Sequence, residues 1–414
     1  MKEEILSNLD NPGQLEKLYR ADKTSFRRAF NAVYPEVKDN VLVGFWNERL
    51  NFADREISWG AGKDLLFLII SCILAGTFAK LPAIFGIDEE FFYSRNAGFI
   101  VFPFLIAFFA WKGRTPYGKV AFLVLTTVAS IIFINSLPEA RASDTLVLSC
   151  AHLLFVLWSL LGFSFAGASK STSANRLAFL RYNGDLVVMT TLIVIAGVIL
   201  TGITIGLFAL IGLNIERFYF ENIVIFSLPA APLFGTYLTQ TNPQLVNKVS
   251  PVIAKIFSPL VLIMLVTYLG AIVYSGKNPY SDRDFLIIFN ALLIGVMALI
   301  FFSAAGTSAT TKTRWETLIL LLLSVVTIVV NAIALSAIAF RISEWGITPN
   351  RAAVLGANIL ILVHLLLVTT QLFRVMSKKE DINAVSRAIT VYLPVYFAWA
   401  AIVTFLFPFI FGFK

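Results

Sequence analysis

Residues 317–340 read TLILLLLSVVTIVVNAIALSAIAF and contain no charged side chain. A helix needs about 20 apolar residues to cross the roughly 30 Å hydrocarbon core of a bilayer, so this stretch is long enough to span it. Apolar runs of similar length recur along most of the chain. The stretch therefore predicts a transmembrane helix, and its repetition predicts a protein with many such helices.

The number of these runs excludes a soluble fold. The 414 residues are 58% hydrophobic and only 14% charged, with a mean hydropathy of +0.80. Buried helices of a soluble protein are also apolar, but short charged connectors would leave almost no polar surface to cover a globule. We predict an all-α, polytopic transmembrane helical bundle of about 11 spans, near residues 64–86, 91–111, 119–137, 145–166, 186–213, 218–239, 252–275, 285–306, 317–340, 352–373 and 388–412.

The distribution of positive charge predicts the orientation of the spans. Cytoplasmic connectors retain lysine and arginine more than external ones. If the N-terminus is inside, inward segments hold 24 of the 33 lysines and arginines, outward segments hold eight, and Lys80 lies within a span. A span miscounted in the middle of the chain would destroy this asymmetry. We therefore expect the N-terminus inside and the C-terminus outside.

Residues 1–62 form a separate segment, which we expect to be cytoplasmic and helical, before a transmembrane domain of residues 63–414. Asp10-Asn11-Pro12 predicts a helix start. One apolar face, ending at Tyr34-Pro35, is formed by Leu15, Leu18, Phe26, Phe30 and Val33. This face either packs inside the protein, on the spans or on a second helix of the segment, or it binds a protein partner or lipid. Residues 1–63 carry ten basic and ten acidic residues, and this neutrality argues against a nucleic-acid partner.

Polar side chains within the spans are the candidate site, because polar groups at membrane depth are costly and usually functional. They are Lys80, His152, Glu221, Asn290, Asn331, Asn358 and His364. Five of them, all except Asn331 and His364, fall in the outer half of different spans and would line an outward-facing cavity if their helices turn them inward. Alternatively each is hydrogen-bonded locally between helices, and Lys80 extends outward toward Asp88, Glu89 and Glu90.

Sequence motifs for catalysis are missing. The chain has no P-loop, no dinucleotide-binding fingerprint, no His-Glu-x-x-His pair and no Gly-x-Ser-x-Gly elbow. Its two histidines lie in separate spans, and Cys72 and Cys150 lie in apolar runs. We therefore expect no catalytic residue, no cofactor and no metal site.

The connector RISEWGITPNR at residues 341–351 and the last span, with YLPVY at 392–396 and FLFP at 405–408, carry a resemblance. They resemble a family of bacterial inner-membrane proteins named domain of unknown function four-one-five-three, mainly over spans eight to eleven. The resemblance implies a multi-pass protein of the bacterial inner (cytoplasmic) membrane. It transfers no functional residue, because the family has no established activity.

The same connector has a predictable geometry. Gly346 permits a tight turn, and Thr348 with Pro349 can begin the next helix. The connector carries three charged side chains that could pair, Arg341, Glu344 and Arg351. Such pairing would either fix the turn or form an outer gate or a site for lipid headgroups.

Two functions from different classes remain open. The leading hypothesis is a non-enzymatic transporter or channel-like protein for a small molecule, an ion or a lipid, because proline and glycine interrupt the spans and polar groups are dispersed among them. The alternative is an accessory or sensory membrane scaffold that binds a protein partner through residues 1–62. A membrane enzyme acting on lipid is disfavoured, since no acid–base or metal cluster converges in the sequence.

Overall fold

The computed structural model describes residues 2–37, 41–51, 62–138, 143–169, 172–210, 213–242, 257–267, 269–270, 283–305 and 314–414. Within these ranges the chain is 88% helical and contains no strand. Its contacts divide it into two compact units, Met1–Trp59 and Gly60–Lys414. The fold is therefore all-helical. The locations of residues 1–62 and 63–414 relative to the membrane stay predictions.

The first unit is a small bundle with its own core. Its helices are α1 (Lys2–Leu6), α2 (Pro12–Ala21), α3 (Lys23–Val37) and α4 (Val41–Asn51). Ile5, Leu15, Phe26, Phe30, Val43, Trp46 and Leu50 are buried together. The apolar face of α2 and α3 is therefore covered by other helices of the same unit, which was one of the arrangements expected for it.

The predicted start of α2 is confirmed, whereas the predicted break at Tyr34-Pro35 is wrong. The side chain of Asn11 accepts a hydrogen bond of 3.1 Å from the backbone N–H of Gln14, which caps the helix. Helix α3 continues through Pro35 to Val37. Pro35 removes one backbone hydrogen bond from α3, and the helix ends two residues after it.

The second unit contains the apolar helices. They are α5 (Gly62–Ala79), α6 (Leu81–Phe85), α7 (Glu89–Asn96), α8 (Phe102–Lys112), α9 (Tyr117–Ser136), α10 (Asp144–Phe165), α11 (Ser173–Leu210), α12 (Glu216–Tyr219), α13 (Ile225–Thr241), α14 (Phe257–Thr267), α15 (Arg283–Ala305), α16 (Arg314–Trp345), α17 (Pro349–Met376), α18 (Asn383–Phe405) and α19 (Phe407–Ile410).

Nine helical segments in the described part of the chain are long and apolar enough to cross a membrane. Two shorter apolar segments, Phe257–Thr267 and Leu292–Ser303, coincide with the expected seventh and eighth spans. Much of the range 252–275 lies outside the described residues. The multi-pass helical membrane class is thus supported, whereas eleven spans and their orientation stay predictions.

Two of the spans are interrupted in ways that the sequence explains. Helices α7 and α8 are joined by a 3₁₀ turn, Ala97–Ile100, just before Pro103, which removes a backbone donor at the start of α8. A π turn, Phe220–Val224, joins α12 to α13. The π turn ends immediately before Ile225. In a regular α-helix the ring of Pro229 would clash with the carbonyl group of Ile225, four residues earlier.

The connector between α16 and α17 has the predicted geometry. Gly346 has a φ of +74°, in the left-handed region that favours glycine. The hydroxyl of Thr348 accepts a hydrogen bond of 3.4 Å from the backbone N–H of Arg351, and Pro349 is the first residue of α17. This short turn brings α16 and α17 into an extensive antiparallel contact.

Candidate functional site

A cavity of about 300 Å³ lies between α10, α15, α17 and α18. At 1.5 Å of rise per residue, its wall extends from roughly 12 Å to roughly 21 Å along α10 and from roughly 16 Å to roughly 27 Å along α15, measured from the first residue of each helix. The wall is mainly aliphatic and aromatic. It is formed by His152, Phe155, Trp158, Ile294, Met297, Ala298, Phe301, Ala357, Ile361, Leu393, Tyr396, Phe397, Trp399 and Ala400.

Hydrogen bonds inside the protein occupy several polar atoms of the cavity wall. The indole N–H of Trp158 donates to Oδ1 of Asn183 on α11 at 2.8 Å. Nδ1 of His152 lies 2.9 Å from the carbonyl oxygen of Leu148. A carbonyl oxygen only accepts, so Nδ1 carries the proton and Nε2 is the acceptor of the neutral ring. These contacts fix both rings before any ligand binds.

His364 supports the cavity from behind Tyr396. It is completely buried, with ring centroids 4.6 Å from Tyr392 and 4.9 Å from Phe301. Its Nδ1 lies 3.1 Å from the hydroxyl oxygen of Tyr396. Nε2 has no hydrogen-bond partner among the described residues, although the backbone of Ala388 lies near the ring. The Tyr396 hydroxyl is thus engaged by His364.

Gly356 makes room for the indole of Trp399. A Cβ atom on Gly356 would lie 2.0 Å from Cζ2 and 2.2 Å from Cη2 of Trp399. The indole therefore rests directly on the backbone of α17, and its edge contacts Phe407 at a centroid distance of 5.9 Å. Any side chain at position 356 would displace this part of the wall.

The predicted amide residues lie close to the cavity or pair between helices. Nδ2 of Asn331 on α16 donates to the carbonyl oxygen of Asn358 on α17 at 3.1 Å, which is a local interhelical bond. Within the described residues, Oδ1 of Asn331, Nδ2 of Asn358 and Oδ1 of Asn290 are buried without a partner. Asn290 lies one turn before Ile294, and Asn358 follows Ala357 directly.

Lys80 and Glu221 do not line the cavity. Nζ of Lys80 donates to Oδ1 of Asn222 at 2.5 Å. Among the described contacts, no salt bridge joins Lys80 to the acidic residues at 88–90. Glu221 forms an ion pair of 2.7 Å with Arg217, one turn earlier. Of the five residues expected around an outward-facing cavity, the structure brings His152 to its wall and places Asn290 and Asn358 beside wall residues.

The connector arginines contact backbone and an aromatic ring. Nη1 of Arg351 donates to the carbonyl oxygens of Trp345 and Gly346 at 2.9 and 2.7 Å. The guanidinium groups of Arg341 and Arg351 lie 5.9 and 5.7 Å from the Trp345 ring centroid. In the described part of the chain, no salt bridge joins Glu344 to either arginine. These contacts fix the turn.

Sequence reasoning missed the aromatic wall and one buried charge. Trp158, Tyr396 and Trp399 carried no signal, since aromatic residues occur throughout the spans. Arg95 was counted with the outer segments, but it is only 3% exposed. Its Nη1 donates to the carbonyl oxygens of Ile134 and Leu137, at 2.7 and 2.9 Å, at the end of α9.

No three His, Cys, Asp or Glu side chains converge as a metal site would require, within the residues that the structure describes. The cavity therefore has rings and methyl groups to offer a ligand, together with Nε2 of His152 and the indole N–H of Trp399, which has no hydrogen-bond partner among the described residues. No protein-family model, curated protein or solved structure matches this chain.

Proposed function

We propose that this protein is a non-enzymatic membrane transporter or carrier of an apolar or amphipathic small molecule or a lipid. The cavity between α10, α15, α17 and α18 carries the proposal. Its volume of about 300 Å³ is at the lower end of the range for small-molecule sites, which are concave and mostly apolar. Because the described residues of its wall include no Asp, Glu, Lys or Arg, an inorganic ion is a poor fit.

The proposal includes the topology. Eleven spans with the N-terminus inside and the C-terminus outside agree with the excess of lysine and arginine in alternate connectors. A location in the bacterial inner membrane is proposed from the resemblance of the 341–351 connector and the last span to a bacterial inner-membrane family. In this orientation the wall begins toward the outer ends of α10 and α15.

Transport can be tested in vesicles of phosphatidylethanolamine and phosphatidylglycerol containing the full chain. Two probes suit the cavity: ethidium entering DNA-loaded vesicles, and fluorescent phosphatidylethanolamine becoming accessible to external dithionite. We expect the wild-type protein to accelerate at least one of them over protein-free vesicles. Ala357→Phe, which places a ring in the cavity, should return that rate to the protein-free value.

Ile359→Phe is the matched control, because Ile359 is on the same helix but is 43% exposed on its outer face. It should keep the wild-type rate. Ala298→Leu on α15 is a second variant that narrows the cavity with a smaller change. The proposal is overturned if neither probe moves faster than in protein-free vesicles, or if Ala357→Phe is as fast as Ile359→Phe.

Partner binding by the first unit is a second candidate function, favoured by one observation. Phe45 on α4 is 69% exposed at the edge of a groove of about 470 Å³ with Leu42, Trp46 and Arg49. Phe45, Leu42 and Trp46 together give this groove an apolar part, and contiguous apolar surface is where protein partners dock. If the unit holds a partner, Phe45→Ser should reduce the size of the native complex in mild detergent, and an unchanged size would exclude this role.

A further inference from the structure

Among the described helices, one side of the cavity is not closed by packing. Helices α10 and α15 both pack against α17 and α18 but make at most sparse contact with each other. Phe155 on α10 and Ile294 on α15 line the cavity, and they are 47% and 53% exposed. These two side chains therefore stand at an opening between α10 and α15, which we call the lateral opening.

The depth of the lateral opening decides what lies outside it. Phe155 and Ile294 each follow the first residue of their helix by eleven positions, which is roughly 16 Å along the axis. A hydrocarbon core is about 30 Å thick. In a protein that spans a membrane, the lateral opening therefore faces the middle of the bilayer, where the ends of lipid chains are concentrated.

The chemistry of the wall also favours lipid hydrocarbon as the ligand. The indole N–H of Trp158 is bonded to Asn183, the hydroxyl of Tyr396 to His364, and Nδ1 of His152 to Leu148. Two polar atoms of the wall stay unpaired among the described residues, Nε2 of His152 and the indole N–H of Trp399. The rest of the surface offered to a ligand is rings and aliphatic carbon. An apolar cavity binds apolar molecules, and one of 150 Å³, half the present volume, accommodates benzene.

On this basis, and resting on the proposed transport function, we propose that the cavity binds the terminal part of a lipid hydrocarbon chain, which enters sideways through the lateral opening. The volume admits only part of a chain. The headgroup therefore remains outside the cavity, and chemical recognition falls on the chain.

The proposal can be tested by fluorescence quenching in the full chain. Trp158 and Trp399 line the cavity, and the other tryptophans can be replaced by phenylalanine, at positions 46, 59, 111, 315 and 345. The protein is then placed in phosphatidylcholine bilayers whose acyl chains carry bromine near their ends, since bromine quenches indoles at contact distance. We expect the emission to fall to about half of that in unbrominated phosphatidylcholine.

The matched pair of variants locates the contact. Ala357→Phe should remove most of the quenching, while Ile359→Phe, outside the cavity, should leave it unchanged. Equal quenching in both variants would place the bromine on the outer surface only and overturn the proposal. An absence of quenching would also overturn the proposal.

A second measurement asks whether another copy of the chain covers the lateral opening. If Phe155→Cys forms a covalent dimer on oxidation, a second copy lies at the lateral opening and the proposal is overturned.

Failure of this inference and failure of the transport proposal are distinguishable. If Ala357→Phe stops ethidium movement but brominated chains do not quench, transport stands and the ligand is not a lipid chain. If brominated chains quench at the cavity but Ala357→Phe changes neither flux, chain binding stands and the transport proposal falls.

Discussion

Gly356→Ala is the sharpest test of how the cavity wall is built. The added Cβ would lie 2.0 Å from Cζ2 of Trp399, whereas ordinary contact begins at 3.4 Å, so the indole must retreat by about 1.4 Å. Overpacking a well-packed site costs about 1–3 kcal/mol. Replacing glycine by alanine within a helix gains about 0.5–1 kcal/mol in return. The difference between these effects gives an expected destabilisation of Gly356→Ala of about 0–2.5 kcal/mol.

The free energy of unfolding can be measured by circular dichroism during reversible unfolding in mixed micelles with sodium dodecyl sulfate. Gly295→Ala on α15 is the control, because nothing lies within 4 Å of its added Cβ. This variant should gain about 0.5–1 kcal/mol. Trp399→Leu removes the ring atoms that clash, so it should relieve the Gly356→Ala defect when the two are combined. Equal stability of Gly356→Ala and Gly295→Ala would refute this packing.

Two further predictions follow from buried or paired polar groups. Tyr396→Phe leaves Nδ1 of His364 buried without its hydroxyl partner and should lower the free energy of unfolding by about 1–3 kcal/mol; Tyr396→Phe combined with His364→Phe should lie closer to wild type in the same micelle assay. In the first unit, hydrogen bonding from Arg20, and then from Arg49, lowers the pKa of Glu16 from 4.5 against the opposing effect of burial. A lowered pKa stabilises the folded form above 4.5, and this contribution is lost as the pH falls through the folded value. The protection factors of amides in α2 and α4, which are exchange rates corrected for the intrinsic pH dependence, should therefore fall below about pH 4.5, and should fall less in Glu16→Gln.

Local signals predicted those parts of the fold that depend on local chemistry. The cap of α2 at Asn11 and the turn from Gly346 to Pro349 follow from the conformations that these residues favour. The helical membrane class follows from the length of the apolar runs. The helix break at Pro35 was misjudged by two residues, because the packing of α3 in its own unit outweighs the one hydrogen bond that the proline removes.

The candidate site was predictable only in part. His152 lines the cavity, and Asn331 and Asn358 pair between helices, which was one alternative for such groups. Lys80 bonds to Asn222, 142 positions later in the chain, a partner that sequence spacing could not indicate. The cavity itself left no trace in the sequence, because a wall of rings and methyl groups has the same composition as a lipid-facing surface.

The buried guanidinium of Arg95 constrains how the protein enters its membrane. Arg95 lies six residues into the Glu89–Lys112 segment, roughly 9 Å from its start, so a guanidinium without its partners costs less there than the about 2.5–3.5 kcal/mol of a helix centre. The carbonyl oxygens that accept its hydrogen bonds belong to the end of α9, which is synthesised after α7. Until α9 is in place, these hydrogen bonds cannot form, and water has to solvate the guanidinium instead. We therefore expect α7 to α9 to complete their insertion together, with the carbonyl oxygens at the end of α9 replacing water around Arg95.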